Sequence, residues 1–423
     1  MRNSPFWWVF IGFMVLLDIY IFQAVRFLSQ NLPGKTKTFI YSGYWIISVA
    51  AIIILIVLPF LHFEKQARIT RATIFSMIAG FFFAKLIAAV FFLFDDVRRG
   101  IQWAVSKLFQ QGTGAEAAAA GDKISRSAFL SWAGMIAGGG LFGTLVYGFR
   151  NKYRYQVKRH KLAFSNLPKS FKGVKLVHIS DIHSGSFTDK EAVMKGVYKV
   201  MQEKPDLILF TGDLVNNVAD EMKDYMDVFN KLEAPLGVYS TLGNHDYGDY
   251  TSWDSEEEKA ANLDKLKSIH GELGWRLMMN EHVSIEKNGE KIALLGIENW
   301  SAKARFPKYG DLEKAHYGTD DHSFKILLSH DPSHWKAEVC SDYQDIDLMM
   351  AGHTHGMQFG VEIPGFRWSP VQYVYNEWAG LYEKRPADKA GKKQYLYVNR
   401  GFGFIGYPGR VGILPEITVI ELA

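Results

Sequence analysis

The chain has 423 residues, with 48 Lys plus Arg against 44 Asp plus Glu, 48% hydrophobic residues and a single cysteine. That apolar content excludes a disordered or collagen-like chain, and the length suggests two or three domains. The lone Cys340 excludes an internal disulfide framework and any thiolate metal cluster, so a bound metal must rest on His, Asp, Glu or Asn. The near-neutral total hides a split: residues 1–159 hold 18 basic and 6 acidic side chains, net +12, whereas residues 160–423 hold 30 against 38, net −8. A net-acidic second half argues against a nucleic-acid partner, because phosphate binding needs clustered Lys and Arg.

Four apolar stretches come first, at about 6–25, 39–63, 72–94 and 127–149. The second runs 25 positions without a charge, longer than the ~20 residues a helix needs to cross hydrocarbon. The first carries only Asp18 and the third only Lys85. The first is too long for a removed signal peptide and lacks its small-residue cleavage site, so it reads as an anchor. Asp18 and Lys85 are costly in lipid; they either pair inside the bundle or face a helix interface without function. Residues 98–111 read as a separate interfacial helix, with Ile101, Val105, Leu108 and Phe109 on one face, and residues 116–121 as a low-complexity linker. The expected division is a membrane region at 1–150 and a soluble domain at 151–423, in a multi-pass protein of the cytoplasmic (inner) membrane. Basic residues flank the spans nine on one side and eight on the other, so charge does not orient the chain.

After Arg159 the texture changes to short apolar runs: 176–180, 207–211, 238–242, 292–297, 324–329 and 347–351. Each suits a buried strand and is too short for a helix. Between the first two, Val193, Val197, Val200 and Met201 recur at helical spacing, so strand, helix and strand imply a parallel crossover and an α/β core. Five of the runs end in polar clusters: Asp181-Ile182-His183, Gly212-Asp213, Gly243-Asn244-His245-Asp246, His330-Asp331 and Gly352-His353-Thr354-His355-Gly356. Loops beyond the carboxyl ends of strands in an open α/β sheet converge on one crevice. A set of carboxylate, amide and imidazole donors suits Mn, Zn or Fe(II). The alternation in Asp-x-His and His-x-His is expected to project both side chains to one face of an extended segment. A two-metal centre needs a bridging carboxylate, and Asp213 is the candidate.

This series resembles the calcineurin-like metallophosphoesterase superfamily over about 260 residues, its five blocks reading DIH, GD, GNHD, SH and GHTH here. The end of the chain, with LYVNRGFG, YPGR and PEITVIEL, is similar to the membrane-associated bacterial branch. The resemblance implies a four-layer α-β-β-α sandwich behind the all-α four-span region. It further implies one divalent ion on Asp181, His183 and His355, a second on Asn244, His330 and His353, and Asp213 between them. His245 would stand beside the phosphoryl group with Asp246 orienting it, and metal-bound hydroxide would attack. The implied substrate is a phosphodiester or pyrophosphate, lipid-linked because the domain is tethered to the bilayer; some members of that branch cleave a lipid A precursor. A phosphomonoesterase acting on protein or small molecules, or a non-catalytic membrane sensor, are the alternatives. Residues 125–130 look like a twin-arginine export signal with Ser127 in place of the second arginine, which favours an extracytoplasmic catalytic domain.

Residues 401–406, GFGFIG, match a dinucleotide fingerprint in letters only; Pro408 and Gly409 follow where a helix is required, so no nucleotide cofactor is expected. These glycines are expected to shape a rim loop on which Arg400 or Arg410 holds a substrate phosphate. The aromatic run Trp368, Tyr373, Tyr375, Trp378 and Tyr382 is either hairpin packing or a seat for an acyl chain. The acidic stretch from Ser252 reads as a capped surface helix, and His178 as structural.

Overall fold

The computed structural model describes residues 5–60, 65–109, 126–384 and 393–423. It divides into two compact units, Met1–Tyr147 and Gly148–Ala423.

The first unit holds four helices: α1 (Pro5–Leu28), α2 (Gly34–Val57), α3 (Lys65–Phe109) and α4 (Arg126–Gly148). Each contains a stretch long and apolar enough to cross a membrane. Helix α2 ends at Val57, and Leu58, still in helical backbone at φ −51° and ψ −38°, passes into a short 3-10 turn at Leu58–Phe60. The expected interfacial helix at 98–111 is not separate: α3 runs unbroken to Phe109. Its charges ride on the helix because Arg98 and Arg99 pair one turn back with Asp95 and Asp96. The linker at 116–121, and Ser125 of the export-signal resemblance, lie outside the described residues.

Helices α1 and α3 share an apolar seam that includes Met14, Ile21, Ile78 and Phe92. Helix α4 meets α3 through Gly134 and Gly138; a Cβ on Gly138 would stand 2.4 Å from the Ala84 carbonyl, so only glycine allows that approach. Asp18 and Lys85 form a buried ion pair, of the two alternatives the one inside the bundle. Ser48 donates to Asp18 at 2.9 Å and Tyr44 to the Asp18 carbonyl at 2.8 Å, so one polar cluster ties α1, α2 and α3 together.

The second unit is built from β1 (Gln156–Leu162), β2 (Lys175–Ile179), α5 (Lys190–Gln202), β3 (Leu207–Phe210), α6 (Met226–Phe229), β4 (Val238–Ser240), α7 (Glu256–Glu272) and β5 (Arg276–Leu277). It continues with β6 (Glu281–Lys287), β7 (Glu290–Gly296), α8 (Leu312–His316), β8 (Lys325–Leu328), β9 (Leu348–Ala351), β10 (Val361–Ile363), β11 (Phe366–Trp368), β12 (Gly380–Lys384), β13 (Gln394–Val398) and β14 (Glu416–Leu422). All six apolar runs are strands. Asp189 caps α5 by accepting from the Ala192 N–H at 2.9 Å, and Ser255 caps the acidic α7 by accepting from Glu258 N–H at 3.2 Å.

Two six-stranded sheets result, in the orders β1-β14-β2-β3-β4-β5 and β12-β13-β9-β8-β7-β6. Strands β2, β3, β4 and β5 run parallel in the first, and β7, β8, β9 and β13 in the second. The sheets pack face to face through Leu176, Leu207 and Leu209 against Leu294, Ile326 and Met350. Val193, Val197 and Leu266 of α5 and α7 cover one outer face; Leu312 of α8 and Trp335 cover the other. This is the four-layer α-β-β-α sandwich.

Candidate metal centre

Every polar cluster sits directly beyond the carboxyl end of a parallel strand: Asp181 and His183 after β2, Asp213 after β3, Asn244 to Asp246 after β4, His330 after β8, His353 and His355 after β9. Glycines let these loops close on one another. A Cβ on Gly212, at φ +91°, would lie 2.3 Å from the Gly243 nitrogen, and one on Gly352 would lie 2.3 Å from an Asp181 carboxylate oxygen. The loops of the two sheets are joined where the His353 N–H donates to the Asp181 carboxylate at 3.0 Å.

The backbone here is not the extended segment expected from the alternation. Asp181, His183, Asp213, His353 and His355 all have φ between +49° and +72°, a region that side chains rarely adopt. Ligand geometry therefore comes from tight left-handed turns and not from the strand pleat. Such strain persists only where surrounding bonds over-determine it, and it concentrates at functional sites.

The side chains converge as two trios, Asp181 with His183 and His355, and Asp213 with His330 and His353, each with donor atoms within 4.8 Å of one another. In the first, the Nε2 atoms of His183 and His355 are 3.0 Å apart and His355 Nε2 is 3.3 Å from Asp181 Oδ1. In the second, Asp213 Oδ2 is 3.2 Å from His330 Nε2, which is 3.2 Å from His353 Nδ1. Asp213 Oδ2 also lies 3.5 Å from His183 Nε2, so one carboxylate faces both trios. Asn244 Oδ1 stands 2.8 Å from His353 Nδ1 and joins the second trio.

Outer partners set the ring orientations. His330 Nδ1–H donates to the Thr211 carbonyl at 2.6 Å, which turns Nε2 inward. His353 places Nε2 at 2.9 Å from the Tyr375 hydroxyl, which donates in turn to Asp331 at 3.2 Å. Asp331 and Tyr375 are functional groups that the sequence did not single out in these roles; Asp331 beside His330 was the available signal. Burial drives the His183 imidazole down to about 3 and His353 to about 4, keeping both rings neutral with lone pairs available. Burial likewise lifts Asp181 to about 7. Burial opposes charge on His330 too, but the Asp213 carboxylate outweighs it and holds the ring up to about 10. The neutral His183 and His353 rings, with lone pairs beside carboxylates, are the donors that a borderline divalent cation takes, and His330 would join them on giving up the proton it holds beside Asp213.

His245 belongs to neither trio but borders both: its ring packs edge-on against His183 with centroids 4.9 Å apart, and its backbone N–H donates to Asp213 Oδ1 at 2.8 Å. Its Nδ1–H donates to the Asn216 carbonyl at 2.8 Å, leaving Nε2 on the opposite edge of a ring that lines the cleft. Asp246 does not touch that ring. Its carboxylate accepts four backbone N–H groups, from Asp213 and Leu214 at 2.8 Å, Gly243 at 2.9 Å and Val215 at 3.2 Å. The expected role in orienting His245 therefore passes to Asn216, and Asp246 clamps the loops after β3 and β4.

Arg400 and Arg410 are not in the cleft. Arg400 is buried with its guanidinium paired to Glu416 and, at 2.8 Å, to Glu362. Arg410 is fully buried and donates to the carbonyls of Arg400 at 2.7 Å, His355 and Gly401 at 3.3 Å, and Gly403. Arg410 braces the loop that carries His355 and Arg400 is neutralised by its two carboxylates; buried and away from the cleft lining, neither can hold a substrate phosphate. The 401–406 loop braces the Asp181 turn through Phe402 N–H to the Ser180 carbonyl at 2.7 Å and Gly403 N–H to the Asp181 carbonyl at 2.8 Å. His178 is structural, buried and bonded to Thr211 at 2.8 Å.

Residues 174–357 match the family description "Calcineurin-like phosphoesterase", and residues 1–152 match "Probable Calcineurin-like phosphoesterase, transmembrane domain". An uncharacterized metallophosphoesterase of Bacillus subtilis (strain 168), YkuE, is 30% identical over 309 residues, which cover 71% of this chain and 98% of that protein. The chain belongs to the calcineurin-like metallophosphoesterases. It is thus a metal-dependent phosphoester hydrolase carried on a multi-pass membrane region. A Danio rerio "Transmembrane protein with metallophosphoesterase domain" is 29% identical over 286 residues, 66% of this chain but only 60% of the fish protein's length. Among solved structures, the protein TT1561 of Thermus thermophilus aligns with 56% of this metallophosphoesterase and 90% of its own chain at 13% identity, with a TM-score of 0.33.

Proposed function

We propose that this metallophosphoesterase cleaves a phosphodiester or pyrophosphate bond of a lipid-linked substrate with two divalent ions, Mn, Zn or Fe. Asp181, His183 and His355 would hold one ion and Asn244, His330 and His353 the other, with Asp213 shared. Bound there, the ions would activate water and neutralise charge on the phosphoryl oxygens. The observation that carries the reading is Asp213 Oδ2 lying within 3.5 Å of a histidine from each trio while His245 stays outside both.

His245, protonated at Nε2, would donate to the leaving oxygen, a contribution of ~10²–10⁴-fold. With Nδ1 bonded to Asn216, the ring has its Nε2 edge to offer to the cleft. The cleft, about 680 Å³, is lined beside these groups by Phe306, Met357, Val371, Val374 and Ile405. That apolar wall favours a substrate with a hydrocarbon portion, such as a lipid A precursor, over a hydrophilic phosphopeptide or nucleic acid. The test is a panel on the full chain in detergent with Mn or Zn: bis-aryl phosphodiester, monoester, nucleoside-diphosphate-sugar lipid and phosphopeptide. Lipid diester or pyrophosphate should be preferred; a preference for the monoester or phosphopeptide would refute the assignment.

A further inference from the structure

Strands β10 and β11 form a hairpin whose pattern is inverted relative to a surface ribbon. Its cross-strand pairs are Val361 with Trp368, Glu362 with Arg367 and Ile363 with Phe366. Side chains alternate between faces, so the two charged residues share one face and the apolar residues share the other. The charged face is the inward one. Glu362 pairs with Arg400 at 2.8 Å, and the Arg367 guanidinium lies 5.0 Å from the Trp378 ring centroid and donates to the Tyr382 hydroxyl at 3.2 Å. Val361, Ile363 and Phe366 point outward, joined by Met357, Tyr373 and Val374 from the flanking turns, and all six are between 42% and 77% exposed.

A water-facing hairpin places its charges outward, and a contiguous apolar patch on a soluble surface marks a binding face. The place of this patch in the chain names its occupant. The Gly360 N–H donates to the Val411 carbonyl at 2.9 Å, and the neighbouring Arg410 N–H donates to the Gly148 carbonyl at 3.0 Å. Asn151 donates to the Arg410 carbonyl at 3.1 Å. Gly148 to Asn151 is where the chain leaves its fourth apolar span. The hairpin is therefore hydrogen-bonded, through two residues, to the point at which this unit is tethered to the bilayer. Exposed Arg150 and Arg154 on the same exit stretch suit anionic headgroups, and Tyr373 and Trp368 are residue types that settle at the membrane interface.

We infer that the outer face of the β10–β11 hairpin, with Met357, Tyr373 and Val374, is seated in the headgroup region of the membrane that holds the spans. Met357 and Val374 also line the cleft, so the seated face would open the metal centre toward the bilayer and admit a lipid phosphate laterally. This route rests on the lipid-linked reading above, whereas the seating itself needs no turnover and is tested without it.

The full chain, with Cys340→Ser and one of Ile363→Cys, Phe366→Cys or Val374→Cys, is labelled with an environment-sensitive fluorophore. It is then reconstituted at one chain per nanodisc of phosphatidylcholine and phosphatidylglycerol. A nitroxide carried near the headgroup end of the lipid acyl chain should quench each label several-fold more than a label on Glu286→Cys, on the far edge strand β6. Quenching equal to that control at all three positions would overturn the inference, as would shielding that appears only when several chains share a disc. Bis-aryl phosphodiester turnover measured in the same discs reports the catalytic reading separately.

Discussion

Replacing Asp246 by Asn separates a loop clamp from a catalytic orienter, because the change is nearly isosteric. One carboxylate oxygen of Asp246 receives the N–H groups of Asp213 and Gly243, and the other those of Leu214 and Val215. Asn keeps one oxygen and turns an NH2 toward the remaining pair, stranding two buried donors. Each stranded donor costs about 1–3 kcal/mol, and two that relax together lie near the low end, about 2–3 kcal/mol in all. At roughly 2–4 °C per kcal/mol for a domain of this size, the melting temperature should fall by about 4–12 °C. Thermal unfolding of the full chain in nanodiscs, followed by tryptophan fluorescence, reads this directly. Because the clamped loops carry Asp213 and Asn244, weaker metal binding should accompany the loss of stability. An unchanged melting temperature with full metal binding and reduced turnover would refute the clamp and restore Asp246 as a partner of His245.

Three further changes probe the remaining parts. His245→Ala should retain both ions by metal analysis while turnover falls by roughly 10²-fold or more, and loss of an ion would make His245 a ligand. Tyr375→Phe removes the hydroxyl between His353 and Asp331, so calorimetric titration should show one site weakened ~10–100-fold and the other unaffected; equal weakening of both would contradict the two-trio division. Lys85→Met should destabilise the helical unit by about 3–5 kcal/mol by leaving Asp18 buried and uncompensated. Adding Asp18→Asn should recover much of that loss in thermal melts, and a double variant as unstable as the single would show that the charge is not the cause.

The six strands and the meeting of the loops beyond them were legible because five of the apolar runs stop abruptly at a polar cluster, and the parallel crossover then fixes where those clusters meet. The edge strands were harder to read. Strand β1 carries Lys158, Arg159, His160 and Lys161 and has no hydrophobic signature, its place set by pairing with β14. The third apolar stretch reads as ending at Phe94, with a separate helix from Arg98, because each charge from Asp95 to Arg99 counts against the bilayer, whereas Asp95 and Asp96 pair with Arg98 and Arg99 one turn on and the helix continues. Arg400 and Arg410 drew attention as arginines near a phosphate site, but sequence carries no record of Glu416, Glu362 and the loop carbonyls that enclose them. Asp246 misled for a related reason: adjacency to His245 suggested a side-chain partner, yet the turn aims its carboxylate at backbone N–H groups. The left-handed backbone at five ligand positions was invisible, since none of them is glycine.

The most direct test of the dinuclear account is metal stoichiometry joined to hydrolysis on the full chain. After chelation and stepwise return of Mn or Zn, cleavage of a bis-aryl phosphodiester should rise to a plateau at two ions per chain, and Asp213→Asn should weaken both ions together and abolish most of the activity. Hydrolysis that survives complete chelation, or a folded chain that binds no metal, would contradict it.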